Sequence, residues 1–485
     1  MDTAVTADRR HVVIVGGGPA GLSAALETVR HGHRATVLEA AGQVGGLART
    51  EMLGGNRFDV GPHRFFTRNT EIEALFREIC GEDVVEVRRL TRIRYRGRWF
   101  DYPLTPLNAL LGLGPLASLS ILASYGAARL RRRVAAPRID SFEDWVTDRF
   151  GRRLYETFFR SYTEKVWGIP CRRIGAEWAS QRIKGLSLAT ALRAALLGPP
   201  PQVAKTLVDR FLYPRLGAGQ LYEKMADLIG RQGGEVRLGA RVVRLRRDGF
   251  RVLGAEIEGG PTVRGDIFLS SAPLPQILAQ LDPPPPAAVR EASSRLRFRS
   301  HLSVQLVLQG EPPFPDNWIY VHSPEVRVAR IAAYGNFSPE MPAAAGLNPL
   351  TLEYFCFADE PIWTAADEEL IALARRELAV LGLGAGCSFV AGGVIRSAAA
   401  YPVIETGVDQ EIESIRDWLD RFANLLPIGR SGMFKYNNQD HAMATGLLAA
   451  RTAVGAGRFD PWLVNIDAAY HEERPAQAAA AGSPR

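Results

Sequence analysis

Cysteine is scarce in this chain. Cys80, Cys171, Cys356 and Cys387 are spread over 485 residues with no CxxC pair and no Cys/His ligand spacing, which excludes a disulfide framework and leaves no metal centre to expect. Lysine is scarcer in proportion: of 59 basic residues only Lys165, Lys184, Lys205, Lys224 and Lys435 are lysine. The net charge of +7 is therefore carried by arginine. It is also dispersed, with no compact basic stripe interleaved with aromatics, so no nucleic-acid partner is expected. No basic start followed by an apolar core opens the chain, and the expectation is a cytoplasmic protein. There is no internal repeat.

Long apolar runs are nearly absent as well. From Tyr102 to Ala128 no residue is charged, and Arg129, Arg131, Arg132 and Arg133 follow. About 20 apolar residues suffice to span a bilayer, but Pro103, Pro106 and Pro115, with glycines, serines and an asparagine, break the run. The reading is two short buried helices turning at Gly112-Leu113-Gly114-Pro115. Peripheral membrane contact through an apolar face with basic flanks stays open.

What is present is an ordinary globular composition, 46% hydrophobic and 23% charged, in a chain long enough for two or three domains. His11–Val15 reads as a buried strand. Gly16-Gly17-Gly18-Pro19-Ala20-Gly21 follows at once and opens onto the helical run Leu22–Arg30, and a second strand, Arg34–Leu38, ends on Glu39. Strand, glycine turn, helix and an acid about 20 residues on are the parts of a dinucleotide-binding unit. Gly16 makes the tight turn, Gly18 lets a pyrophosphate reach the backbone, and Gly21 lets helix and strand pack closely. The helix N-terminus offers unpaired N–H groups to the phosphates.

Farther on, Arg92–Phe100 reads as a hairpin, and helical patterns dominate from Leu107 to about Leu212. Phe142, Trp145, Val146, Phe150, Leu154 and Phe158 fall near helical spacing. Glu235–Leu238 and Arg241–Leu245 read as a strand pair, Asp266–Ala272 as a buried strand, and Leu302–Leu308 and Leu350–Phe357 as strands of a second sheet. Asp409–Phe422 is an amphipathic helix and Ala442–Val454 an apolar one. Beyond about Tyr470 no core pattern remains.

After Glu39, the run Gly45-Gly46-Leu47-Ala48-Arg49 resembles the second glycine signature of FAD enzymes of the amine oxidase and glutathione reductase-like superfamily. An ordered set of further matches resembles the UDP-galactopyranose mutase family within it. The set comprises Gly61-Pro62-His63; Trp99-Phe100-Asp101-Tyr102-Pro103; Leu154–Phe159 running on to Tyr162-Thr163-Glu164-Lys165-Val166-Trp167-Gly168; Arg330-Ile331 leading to Phe337-Ser338-Pro339; Tyr401-Pro402; and Gly429-Arg430 before Tyr436. The resemblance implies FAD as cofactor and a nucleotide-activated sugar as substrate, with the reduced flavin N5 acting as nucleophile at the anomeric carbon. The implied fold is α/β. A Rossmann-like FAD-binding domain (1–105, 215–290 and 396–465) would carry a helical insertion (106–214) and a smaller antiparallel-sheet substrate domain (291–395), with a disordered tail (466–485).

By position, the resemblance gives Gly16, Gly18, Gly21, Glu39, Gly45, Gly46, Arg49, Val242, Gly429, Arg430 and Asp440 to the cofactor. It gives Arg330, Trp167 and His63 to catalysis, and Arg182, Tyr401, Tyr436 and Asn438 to the substrate. Trp167 reads equally as a core aromatic, and His63 equally as a satisfied loop histidine. Arg330 stands in an apolar run and needs a buried partner. There are departures: Gln181 stands where the family has a diphosphate arginine, Asn438 where it has a carboxylate, and Phe66 where it has a second histidine. The alternative is an FAD-dependent oxidoreductase of the protoporphyrinogen oxidase or desaturase kind, and a homodimer stays open.

Overall fold

The computed structural model describes residues 9–104, 106–134, 138–176 and 210–465. Arg182 and the tail 466–485 lie outside the described residues.

Val12, Val13 and Ile14 are fully buried, as a parallel strand covered on both faces must be. Their strand, His11–Val15, is the middle of a five-stranded sheet. Arg34–Leu38 and then Glu235–Arg237 lie parallel on one side, and Ile267–Ser270 and then Leu425–Pro427 on the other. The beginning, middle and end of the chain thus meet in one layer. The expected pairing of the strands near 235 and 241 does not occur. Ala240 donates its N–H to Glu39 O at 2.7 Å, which ties the chain to the end of the Arg34–Leu38 strand. Val242–Asp248 then starts in a separate four-stranded sheet.

The second large sheet has seven strands, in the order Ser388–Pro402, Phe298–Gln309, Leu347–Cys356, Arg330–Ala333, Trp318–Val321, Thr91–Tyr95, Arg98–Asp101. The hairpin of the last two strands was expected on the nucleotide side. It belongs here because Trp318–Val321 pairs with it in parallel. The join is fixed by Thr91 Oγ1 donating to Trp318 O at 2.7 Å and by Arg92 clasping the fully buried Asp316 at 2.6 Å.

The helical region begins with Pro106–Leu113 and Pro115–Val134, broken at Gly114 as the sequence suggests. The second of these is neither short nor buried. It runs 20 residues, and of its large apolar side chains Ile121 is buried while Leu116, Leu119, Leu130 and Val134 are exposed. Among the described residues no helix is long and apolar enough to cross a membrane. Phe142, Trp145, Val146, Phe150, Leu154 and Phe158 are all buried, in helical segments that run from Phe142 to Trp167 with a break at Gly151. The region does not stay helical to residue 214, since Arg210–Pro214 is a strand antiparallel to Val84–Arg88.

Candidate active site

At the carboxyl end of His11–Val15 the chain turns on Gly16, whose φ of +101° an L side chain rarely adopts. A Cβ on Gly21 would lie 1.9 Å from Gly16 O, so helix and turn touch backbone to backbone. Glu39 reaches over this turn and accepts from Gly17 N–H at 2.6 Å and Ala41 N–H at 2.8 Å. The second glycine turn stands against the first: a Cβ on Gly46 would sit 3.2 Å from Gly18 Cα. Arg49 secures it, donating to Gly46 O at 2.9 Å while paired with Glu51 at 2.6 Å. The buried Val242 follows the segment bonded to Glu39. Two backbone-lined turns, a helix N-terminus and an acid at the strand end form a groove suited to a dinucleotide pyrophosphate and ribose.

Gly429 donates its N–H to Thr445 Oγ1 at 2.9 Å, on the helix Gln439–Val454. Gln439 Nε2 donates to Arg64 O at 3.0 Å, tying the start of that helix to the Gly61–Arg64 loop. Asp440 is buried beside His441. Arg430 donates through Nε to Asn437 O at 2.7 Å, and its guanidinium lies 4.9 Å from the Tyr401 ring and 5.4 Å from the Tyr436 ring. Gly429 also adjoins the first glycine turn: a Cβ on it would lie 3.0 Å from Ala20 Cβ.

Beyond Arg430 is a charged centre. Arg330 donates through Nε and Nη2 to the two carboxylate oxygens of Glu353 at 2.6 and 2.5 Å. Glu353 is fully buried and also pairs with His301 Nε2 at 2.8 Å. Burial by itself would raise the Glu353 carboxyl; the Arg330 charge and the hydrogen bonds from His301 and Arg330 outweigh it and hold the group at about 2. A Cβ on Gly61 would lie 3.3 Å from Glu353 Oε2 and 3.4 Å from Arg330 Nη2, so the loop carrying His63 adjoins this pair. Burial, then the Arg430 and Arg330 charges, pull the His63 imidazole down to about 4. It is neutral at pH 7. Its Nε2 lies 2.9 Å from Val60 O, an acceptor only, so Nε2 carries the proton and Nδ1 presents a lone pair.

Aromatic side chains complete the walls. Tyr401 and Tyr436 lie 5.9 Å apart, and Trp167 tilts against Tyr436 at 5.7 Å. Trp167 ends the helix Arg160–Trp167, whose last carbonyls, Lys165 O and Val166 O, are gathered by the buried Arg299. At 2% exposure Trp167 is part of the core. Tyr162 stacks on His322 at 4.5 Å and meets Tyr320 edge-on at 5.7 Å. Burial pushes the Tyr162 and Tyr401 phenols above their ordinary range, so both are hydroxyl donors at neutral pH.

Asn438 is an exposed N-cap of the helix Gln439–Val454, its N–H donating to His441 Nδ1 at 3.2 Å. It supports the helix end. Glu353, His301, Tyr162 and Tyr320 are site residues that sequence reasoning missed; the one available signal was the need of Arg330 for a buried partner.

A family model described as flavin containing amine oxidoreductase matches residues 19–404. Among curated proteins, the coproporphyrinogen III oxidase of Mycobacterium tuberculosis is 26% identical over 396 residues, covering 76% of this chain and 82% of that one. The phytoene dehydrogenase of Streptomyces griseus is 31% identical over 260 residues, half of each chain. Among solved structures, a reduced UDP-galactopyranose mutase superposes with a TM-score of 0.82 at 20% identity, covering 95% of this chain and 99% of that one. A protein described as a protoporphyrinogen oxidase from Exiguobacterium gives 0.69 at 18%, covering 92% and 99%. The fold shared with these structures and the backbone-lined groove agree with the family match: the chain belongs to the flavin-containing amine oxidoreductases, and its cofactor is FAD.

Proposed function

We propose that this flavoenzyme acts on a nucleotide-activated sugar, interconverting ring forms of the sugar without net oxidation. The observation that carries the reading is the polar centre. Arg330 and Arg430 bring two guanidinium groups, and Tyr162, Tyr401 and Tyr436 bring three phenols, around a single buried carboxylate. FAD, when bound and reduced, supplies a nucleophilic nitrogen for such chemistry.

The chain's own residues bind and orient. Glu353 occupies Nε and Nη2 of Arg330, which fixes the guanidinium plane and leaves Nη1 for a diphosphate oxygen. Tyr401 and Tyr436 add hydroxyl donors that carry no mobile charge, and Arg430 braces both rings. With Arg330 balanced by Glu353, Arg430 gives the centre a positive excess suited to an anionic ligand. Trp167 closes one wall and excludes water beside Tyr436. His63, neutral with an acceptor at Nδ1, joins the glycine loop to the reacting region without adding charge.

A second reading, oxidation of a porphyrinogen-like or other apolar substrate, is favoured by the similarity to coproporphyrinogen III oxidases across 76% of the chain and by the aromatic walls. The two differ in electron balance. Anaerobic, dithionite-reduced enzyme is incubated with UDP-galactose and other nucleotide sugars, and ring isomers are resolved by chromatography. An isomer formed while the flavin stays reduced is expected. Unchanged nucleotide sugars, together with oxygen consumption by the oxidised enzyme on coproporphyrinogen III, would replace this reading with the second.

A further inference from the structure

We infer that the helix Pro115–Val134 is a docking surface for an anionic lipid bilayer, lying along the bilayer rather than crossing it. Leu116, Leu119, Ala123, Ala127, Leu130 and Val134 follow one another at steps of three or four residues. At about 100° per residue they fall within an arc of roughly 80° on one side of the helix. That side faces outward: Leu116 is 86% exposed, Leu119 66%, Leu130 63% and Val134 82%, and Ala123 and Ala127 are exposed too. Leu111, at the end of the preceding helix, adds to the tip at 74%.

The opposite side is committed to the protein. Ile121 is buried, and Arg132 pairs with Asp148 at 2.5 Å. An ordinary surface helix buries its apolar stripe and shows water its polar one; this helix shows water the apolar stripe. From Leu116 to Val134 the stripe is about 27 Å long, a contiguous patch of the kind that marks an interaction surface.

Charge selects the occupant. Between Asp101 and Asp140 the chain has no acidic residue, while Arg129, Arg131, Arg132, Arg133 and Arg138 fall within that stretch. Arg131 and Arg133, both exposed, flank the last turn of the stripe on either side. Arg132 and Arg138 are answered by Asp148 and Asp140, but a second copy of this face would set Arg129, Arg131 and Arg133 against their like. Anionic headgroups answer them, each arginine near such a surface strengthening binding by about fivefold, while the leucines enter the acyl boundary. Ala109 and Ile121, on the inner sides of the two helices, share one packed core with Trp167, against which Tyr436 and Tyr320 also pack.

The test is flotation of the FAD-loaded protein with vesicles of phosphatidylcholine alone or with about one third phosphatidylglycerol, a mimic of an anionic leaflet. The wild type is expected to float with the anionic vesicles and to be released by salt. Leu116→Glu/Leu119→Glu is expected to lower the floated fraction about tenfold, with flavin content unchanged. Arg131→Glu/Arg133→Glu is expected to abolish the preference for phosphatidylglycerol. Should the glutamates reduce flavin content, Leu116→Ala/Leu130→Ala serves instead, with a smaller loss of flotation expected. Wild type that floats with neither vesicle, leucine variants that float like wild type, or a wild-type dimer that these variants convert to monomer would each overturn the inference.

Discussion

The groove around Gly16 and Gly46 is made of backbone, whereas the centre around Arg330 is made of side chains, and the two respond to change in different ways. In the groove the essential property is the absence of side chains: Gly21 meets Gly16 O, and Gly46 meets Gly18. All of these residues come from one short stretch of sequence. In the centre the essential property is a balance of charges brought from separate strands. Arg330 is answered by Glu353, Glu353 by His301, and the ring hydroxyls come from three further segments. A buried ion pair repays its desolvation poorly as a source of stability, which agrees with the role in ligand recognition proposed for this one.

The largest expected effect comes from unbalancing the centre. Glu353→Ala leaves the Arg330 charge without its carboxylate and should cost about 3–5 kcal/mol of unfolding free energy, measured by denaturant titration. Arg330→Ala and Glu353→Ala combined should cost less than the two single losses added together. Next is Gly21→Ala, whose Cβ would collide with Gly16 O; about 1–3 kcal/mol of destabilisation is expected, with bound FAD lost in the absorbance spectrum. If it instead kept full flavin content, the groove would not be the close backbone contact described. Tyr401→Phe should keep FAD and stability within about 1 kcal/mol while raising KM for a diphosphate ligand by about fivefold.

Two further effects separate by pH. His63 is held at about 4, below its ordinary 6.5. Between these values the unfolded chain binds a proton that the folded protein refuses, so stability falls as pH drops from 6.5 towards 4. Glu353 is held at about 2, below 4.5. Its contribution is full above pH 4.5 and is lost as pH falls towards 2. The buried His322, held at about 3, adds to the first slope, so acid unfolding of His63→Asn should show a shallower first slope and an unchanged second, and a variant whose first slope equals that of the wild type would contradict the assignment of His63.

The groove could be read from sequence because strand, glycines, helix and Glu39 are contiguous and each position has a local reason. The centre could not. Arg330 and Glu353 are opposite one another in adjacent strands, and Glu353 reaches His301 diagonally from the strand beyond. Those registers depend on a sheet pairing that no local pattern fixes. The hairpin expected over Arg92–Phe100 joins the second sheet and not the nucleotide side for a similar reason, since its neighbour Trp318–Val321 lies more than 200 residues away and is joined through Asp316. In the helix Pro115–Val134 the proline break was visible, but apolar residues suggested burial and the structure turns most of them outward. Asn438 caps the helix Gln439–Val454, a role natural for asparagine that the family match did not suggest.

The most direct measurement is a titration of FAD-loaded wild type and Arg330→Ala with UDP, followed through the flavin spectrum. The account predicts a saturable perturbation in the wild type and its loss in Arg330→Ala at equal flavin content, which would put a diphosphate site beside the cofactor. A wild-type spectrum that stays unchanged at saturating UDP, or a variant that binds as tightly as wild type, would contradict it.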